Sequence, residues 1–202
     1  MCQPTKRCST RRATSLSRHQ ILPSTSHLTT TLATTMAADA AARAYHAASQ
    51  AHRSNNLPSA ILWYEKALSL TPRDAPSYNG LAVARRDTND LKAALAAHAH
   101  AIKLAPNDAL VQSNYGHTLL KADKAHEAVK RFKKAAKLEP SANNYIDLAE
   151  AHRAAYSKKS GGDHVSGAER AINKAVALDK DLPLDRRAYM LHWLGKLMIM
   201  SG

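Results

Sequence analysis

Cysteine is almost missing from this chain. Of its 202 residues only Cys2 and Cys8 are thiols, and both lie in the N-terminal segment. Everything beyond them is therefore without disulfides or cysteine-ligated metals. Acidic side chains are missing from the first 38 positions, which hold five Lys or Arg and fourteen Ser or Thr. No apolar run reaches the ~20 residues of a membrane span. The most apolar stretch lies near the C-terminus, and His192 and Lys196 interrupt it. Catalytic patterns are missing too. The stretch "SKKSGGDH" has neither the glycine spacing nor the strand-to-helix context of a phosphate loop. His126, in "HEAVK", lacks the second histidine of a zinc helix. His98 and His100 are two apart and so point to different sides of a helix. A metal site, a cofactor and an enzymatic function are accordingly not expected.

What is present is a repeat. Pro72, Pro106 and Pro140 are separated by intervals of 34 residues. Lined up on them, Ala60, Ala94 and Ala128 share a position, as do Ala67, Ala101 and Ala135. A ring recurs between these alanines as Tyr64, His98 and Phe132. Earlier in each period a small residue stands at Ala48, Ala82 and Gly116, preceded by Ala47, Leu81 and Tyr115. Two helices of about a dozen residues fit one such period. Proline cannot continue the second helix and so sets the turn. Small side chains let helices approach to ~8–10 Å between axes. A glycine inside a helix costs about 1 kcal/mol relative to alanine, so Gly116 requires close packing to offset it.

On these residues the chain resembles the tetratricopeptide-repeat family. Segments 41–74, 75–108 and 109–142 follow its pattern without insertions, with His98 and Ala47 as departures expected to loosen two contacts. A fourth hairpin is expected over 142–181, with Leu148, Ala149, Ala168, Ile172 and Ala175 in register. Between its helices a flexible loop over 157–167 is expected from Gly161 and Gly162. Residues 184–202 read as a C-terminal capping helix that buries a stripe of Leu191, Leu194 and Met198. The implied fold class is all-α, an α-α superhelix of about four hairpins and a cap. Stacked repeats need such a cap because no single hairpin can bury its apolar face alone.

The N-terminal extension, residues 1–38, has three readings. Its arginine-bearing, acid-free composition looks like a mitochondrial or plastid transit peptide. Alternatively it is disordered, or translation starts at Met36, with the protein then cytoplasmic. Of the net charge of +13, five units fall in this extension and eight on the repeats. A basic solenoid favours acidic partners.

In this family the first helix of each hairpin lines a concave groove. The resemblance implies groove positions at Tyr45, His46, Ser49 and Arg53 in the first hairpin and at Asn79 and Arg86 in the second. The third supplies Asn114, His117 and Lys121, and the fourth Asn143, Glu150 and Arg153. Asparagine donates and accepts at once, which suits an extended peptide backbone. Arg53, Arg86, Lys121 and Arg153 recur at a near-constant interval and would line one edge of the groove, or simply end their helices where the dipole favours cations. Many family members clamp the C-terminal carboxylate of chaperone tails. Here only Asn114 falls where that clamp is wanted, with Leu110, Tyr45 and Ser49 in place of the other polar groups. The expected function is a non-enzymatic protein-protein interaction module, a scaffold or assembly factor that holds a protein or acidic peptide. The alternative is an RNA-associated organellar factor using the basic convex stretch "KRFKKAAK". No aromatics interleave those cations, so bases have no stacking platform. At the C-terminus Trp193 and Leu197 lie off the capping stripe and form an expected partner or self-association surface.

Overall fold

The structure is a computed structural model of the full chain, and it describes residues 25–156, 161–179 and 183–201. Nine α-helices and no strands occur among the described residues. Contacts divide the chain into two units, 1–35 and 36–202. The expected extension thus lies outside the described residues up to position 24. From Thr25 the backbone is helical and belongs to α1, Thr25–Arg53.

The second unit is built from helices in consecutive pairs, those from α2 to α7 having 13 or 14 residues each. α2 (Leu57–Leu70) follows α1, α3 (Ala75–Asp87) pairs with α4 (Leu91–Leu104), and α5 (Ala109–Lys121) with α6 (Ala125–Leu138). α7 (Ala142–Ala155) pairs with α8 (Gly161–Leu178), and α9 (Leu184–Ser201) packs on α8. The ends are set locally. The carboxylates of Asp74, Asp90 and Asp108 accept from the amide N–H three residues on, as do the side chains of Asn56 and Ser141. These caps satisfy amides that the helix itself leaves unpaired. Pro58 and Pro76 stand in first turns, where no N–H is needed. Second helices are C-capped by Thr71, Ala105 and Glu139, each one residue before a period-marking proline. The turn at Pro106 is braced from inside, since buried Gln112 donates from Nε2 to the Pro106 carbonyl at 2.7 Å.

The expected register is the core. Ala60, Ala94, Ala128, Ala101 and Ala135 have no exposed surface, and Ala67, Tyr64 and Phe132 nearly none. A methyl group on Gly116 would stand 2.6 Å from Cζ of Phe132, so only glycine admits that ring. Gly80, which the alignment passes over, is occluded by the Tyr64 ring in the same way. Leu148, Ala149, Ala168, Ile172 and Ala175 are buried as expected.

Three expectations are corrected. The loop over 157–167 is shorter, because α8 begins at Gly161 and takes in the residues up to Gly167. Gly167 is a packing residue there, its Cα covered by the His152 ring. His98 loosens nothing. It is fully buried, stacked on Tyr115 with ring centroids 5.3 Å apart, and its Nε2 lies 2.9 Å from Thr118 Oγ1. In α9 the buried stripe is Met190, Trp193 and Leu194, while Leu191 is 58% exposed. Leu194 is thus buried as expected, Met190 and Trp193 take the place of Leu191, and the side chain of Met198 lies outside the described residues. Gly195 has open space where a Cβ would go, so no close helix contact uses it.

Candidate functional site

The first helices of neighbouring hairpins lie side by side, α3 against α5 and α5 against α7. Polar side chains lace them at the repeat interval. Asn114 Nδ2 donates to Asn79 Oδ1 at 3.3 Å, and Lys121 Nζ donates to the Arg86 carbonyl at 2.8 Å. Ser113 donates to Asp147 Oδ2 at 3.3 Å, and His117 Nε2 lies 3.2 Å from the same oxygen. His52 Nε2 reaches Asp87 Oδ2 at 3.0 Å across α1 and α3. Each link spans about one period, because equivalent residues of stacked repeats face one another.

These bonds sort the expected groove residues. Asn79 is buried and engaged with Asn114. Arg86 Nε bonds Asp87 Oδ1 at 3.0 Å. Burial pushes the Asp87 carboxyl up, but the hydrogen bond from His52 and the charge of Arg86 outweigh it and hold the carboxyl below its usual range. Lys121 ends α5 yet binds the last turn of α3, so its cation serves a neighbour's C-terminal carbonyls. Tyr45 packs edge-on against Tyr64 at 5.8 Å, and Ser49 lies 3.3 Å from the Tyr64 hydroxyl. Tyr45 and exposed His46 also line a cavity of about 750 Å³ whose far wall is the turn Thr71–Asp74. Arg53 and Asn143 are exposed, and Glu150 is half-buried.

The fourth expected cation differs. The guanidinium of Arg153 lies over the Trp193 ring, 5.7 Å from its centroid. Trp193 is only 7% exposed, which corrects the expectation that it forms a partner surface. The side chain of Leu197 lies outside the described residues. The convex stretch is also less uniform than its sequence. Arg131 sits over the Tyr115 ring at 4.6 Å, whereas Lys133 and Lys137 face α8 across a cavity.

Sequence reasoning passed over one periodic feature. Asn55, Asn89 and Asp123 have positive φ of 58°, 66° and 58°, and they stand 34 residues apart at the turn inside each hairpin. Asn and Asp are the non-glycine residues that best tolerate this left-handed conformation, so their spacing was a readable signal.

Among the described residues no helix is long and apolar enough to cross a membrane. Among the same residues no group of three or more His, Cys, Asp or Glu is placed to hold a metal ion.

No family model and no curated protein matches the chain. Solved structures do. It is similar to the tetratricopeptide-repeat domain of Arabidopsis OM64, at 17% identity and a TM-score of 0.55, over 58% of this chain and 98% of that one. The first such domain of Spaghetti (RPAP3), bound to the HSP90 peptide SRMEEVD, aligns at 20% identity and 0.54 over 58% and 91%. The MamA protein aligns at 16% and 0.65 over 84% of each. These identities speak to fold, and with the 34-residue register they lead to one conclusion: this chain has the tetratricopeptide-repeat fold.

Proposed function

We propose that the chain is a non-enzymatic protein-interaction module whose first-helix face holds an extended acidic peptide. The observation that carries this reading is the polar lacing of α3, α5 and α7, which fixes three helices as one continuous polar surface. Lys121 uses one of its three N–H donors on Arg86, and Arg86 uses one of five on Asp87, so both retain donors for a carboxylate. The repeats carry eight of the thirteen units of net positive charge, which favours acidic partners. The RPAP3 domain, bound to a peptide with acidic residues, supports the general reading and not the partner. With Leu110 exposed and Asn114 tied to Asn79, a carboxylate-end clamp has few groups to work with.

The test is fluorescence anisotropy with a labelled twelve-residue Asp- and Glu-rich peptide. Arg86→Glu with Lys121→Glu should weaken binding at least tenfold while circular dichroism keeps its helical signature. Binding should also weaken with salt, since exposed charges are screened beyond ~8–10 Å. Affinity unchanged in the double variant would reject the groove.

A further inference from the structure

A cavity of about 420 Å³ opens between α6, α7 and α8. Its wall is apolar where Val129, Ala136, Leu148 and Ala171 meet. Its other lining groups include Lys133 and Lys137 from α6 and Arg170 and Lys174 from α8. Each pair is four residues apart, one helical turn, so both members share a face. No carboxylate lines the cavity, and no ion pair among the described residues engages any of the four. Cations on an ordinary solvated helix spread apart or pair with Asp and Glu. Here four exposed cations line one half-open cavity from two helices, and they repel each other unless an anion joins them.

We propose that this cavity binds a small organic polyphosphate, with its phosphates on the four cations and its body on the apolar wall. The size falls within the ~300–1,000 Å³ of small-ligand sites. Phosphates place several charges in one small volume, whereas a peptide carries about one per residue. Arg170 offers a planar fork suited to phosphate, and the lysines add point charges. Lys174 is positioned by the Tyr145 ring, 5.3 Å from its centroid. The ammonium occupies one face of that ring, which leaves less of it for a nucleic-acid base to stack on. The N-terminal segment cannot fill the cavity as a counter-charge, because residues 1–38 contain no Asp or Glu.

The cavity also contains its own reporter. His152 lines it and lies 3.1 Å, Nδ1 to Nδ1, from His164, which in turn packs against His126. Burial first, then the charges of His164, Arg170 and Lys133, push the His152 imidazole down to about 4. Asp163 acts in the opposite sense on His164 alone. A bound polyanion would neutralise Arg170 and Lys133 and let His152 titrate higher.

The experiment is calorimetric titration of the full chain with ATP, inorganic tripolyphosphate and a twelve-nucleotide uridine oligomer. The expected results are that ATP binds more tightly than tripolyphosphate, and that Lys133→Glu with Arg170→Glu weakens ATP at least tenfold. Lys103→Glu with Lys130→Glu, the same charge change outside the cavity, should alter it less than twofold. The His152 pKa, followed by NMR, should rise with ATP present, and the groove variants Arg86→Glu with Lys121→Glu should leave ATP binding intact. Should the cavity reversal fail to fold, Lys133→Gln with Arg170→Gln replaces it, with the same expected direction. No binding, equal loss in the outside pair, equal affinity for ATP and tripolyphosphate, or tightest binding by the oligomer would each overturn the proposal.

Discussion

Replacing His98 with phenylalanine should remove a distinct share of this protein's sensitivity to mild acid. Thr118 Oγ1 donates its single proton to the Asn114 carbonyl at 3.1 Å. It can therefore only accept from His98 Nε2, which must carry the ring proton of a neutral imidazole. Nδ1 is buried with no partner in view. Burial, and then the charge of Arg86, push this imidazole from 6.5 down to about 3. The sign follows directly. The unfolded chain takes up a proton below pH ~6.5 and the folded chain does not until about pH 3, so stability present above pH 6.5 is lost as pH falls between them. At pH 5 the gap of ~1.5 pH units from the unfolded value costs about 2 kcal/mol at 1.36 kcal/mol per unit. For a domain of this size that is roughly 4–8 °C in Tm. Phenylalanine cannot titrate, fills the same space, and leaves Thr118 bonded to Asn114. At pH 7 it forfeits one hydrogen bond of ~1 kcal/mol but also removes an unpaired buried acceptor that costs about 1–3 kcal/mol, so stability there should change little. The assay is urea unfolding of both proteins from pH 7.5 to 4.5. His152 contributes the same acid slope to both and cancels in the difference. Parallel stability curves for wild type and His98→Phe would refute a neutral buried imidazole.

Two further substitutions test the packing and the caps. Phe132→Ala removes a fully buried ring seated on Gly116 and should cost about 3–5 kcal/mol in chemical denaturation; a loss well under 1 kcal/mol would mean the ring does not fill that contact. Lys124 stands at the start of α6 without a side-chain cap, whereas Asn56 and Asp90 occupy the equivalent place with similar backbone angles and do cap. Lys124→Asn should therefore stabilise by about 1 kcal/mol, since the half-exposed Lys124–Glu127 pair at 3.6 Å that it removes contributes little; a lower denaturation midpoint would contradict this.

The repeat was readable because its signals are local and periodic. Alanine at a close crossing, a ring beside it and a proline past the helix end each act within one hairpin, and the 34-residue interval makes them reinforce one another. What was misread depends on tertiary partners. Gly161 and Gly162 are helix breakers in isolation, yet α8 begins there, and His152 packs against Gly167 further along the same helix. In α9 a 3.6-residue period accommodates two overlapping stripes that share Leu194. The one that is buried carries Trp193, over which Arg153 of α7 lies, a contact that no periodicity encodes. The expected groove residues lie on α1, α3, α5 and α7. That Asn79 and Lys121 would bond neighbouring repeats was not readable, because it requires the stacking distance between hairpins. The convergence of Lys133 and Arg170 was hidden for the same reason, since α6 and α8 are apart in sequence and meet only across α7.

The central claim is that the face made by α1, α3, α5 and α7 is where a polypeptide partner sits. Amide chemical-shift mapping of the ¹⁵N-labelled chain with the acidic peptide tests it most directly. The account predicts the largest shifts at Arg53, Arg86, Lys121 and their neighbours on the first helices, with α4 and α6 little changed. Shifts confined to second helices, or spread evenly over all exposed cations, would contradict it.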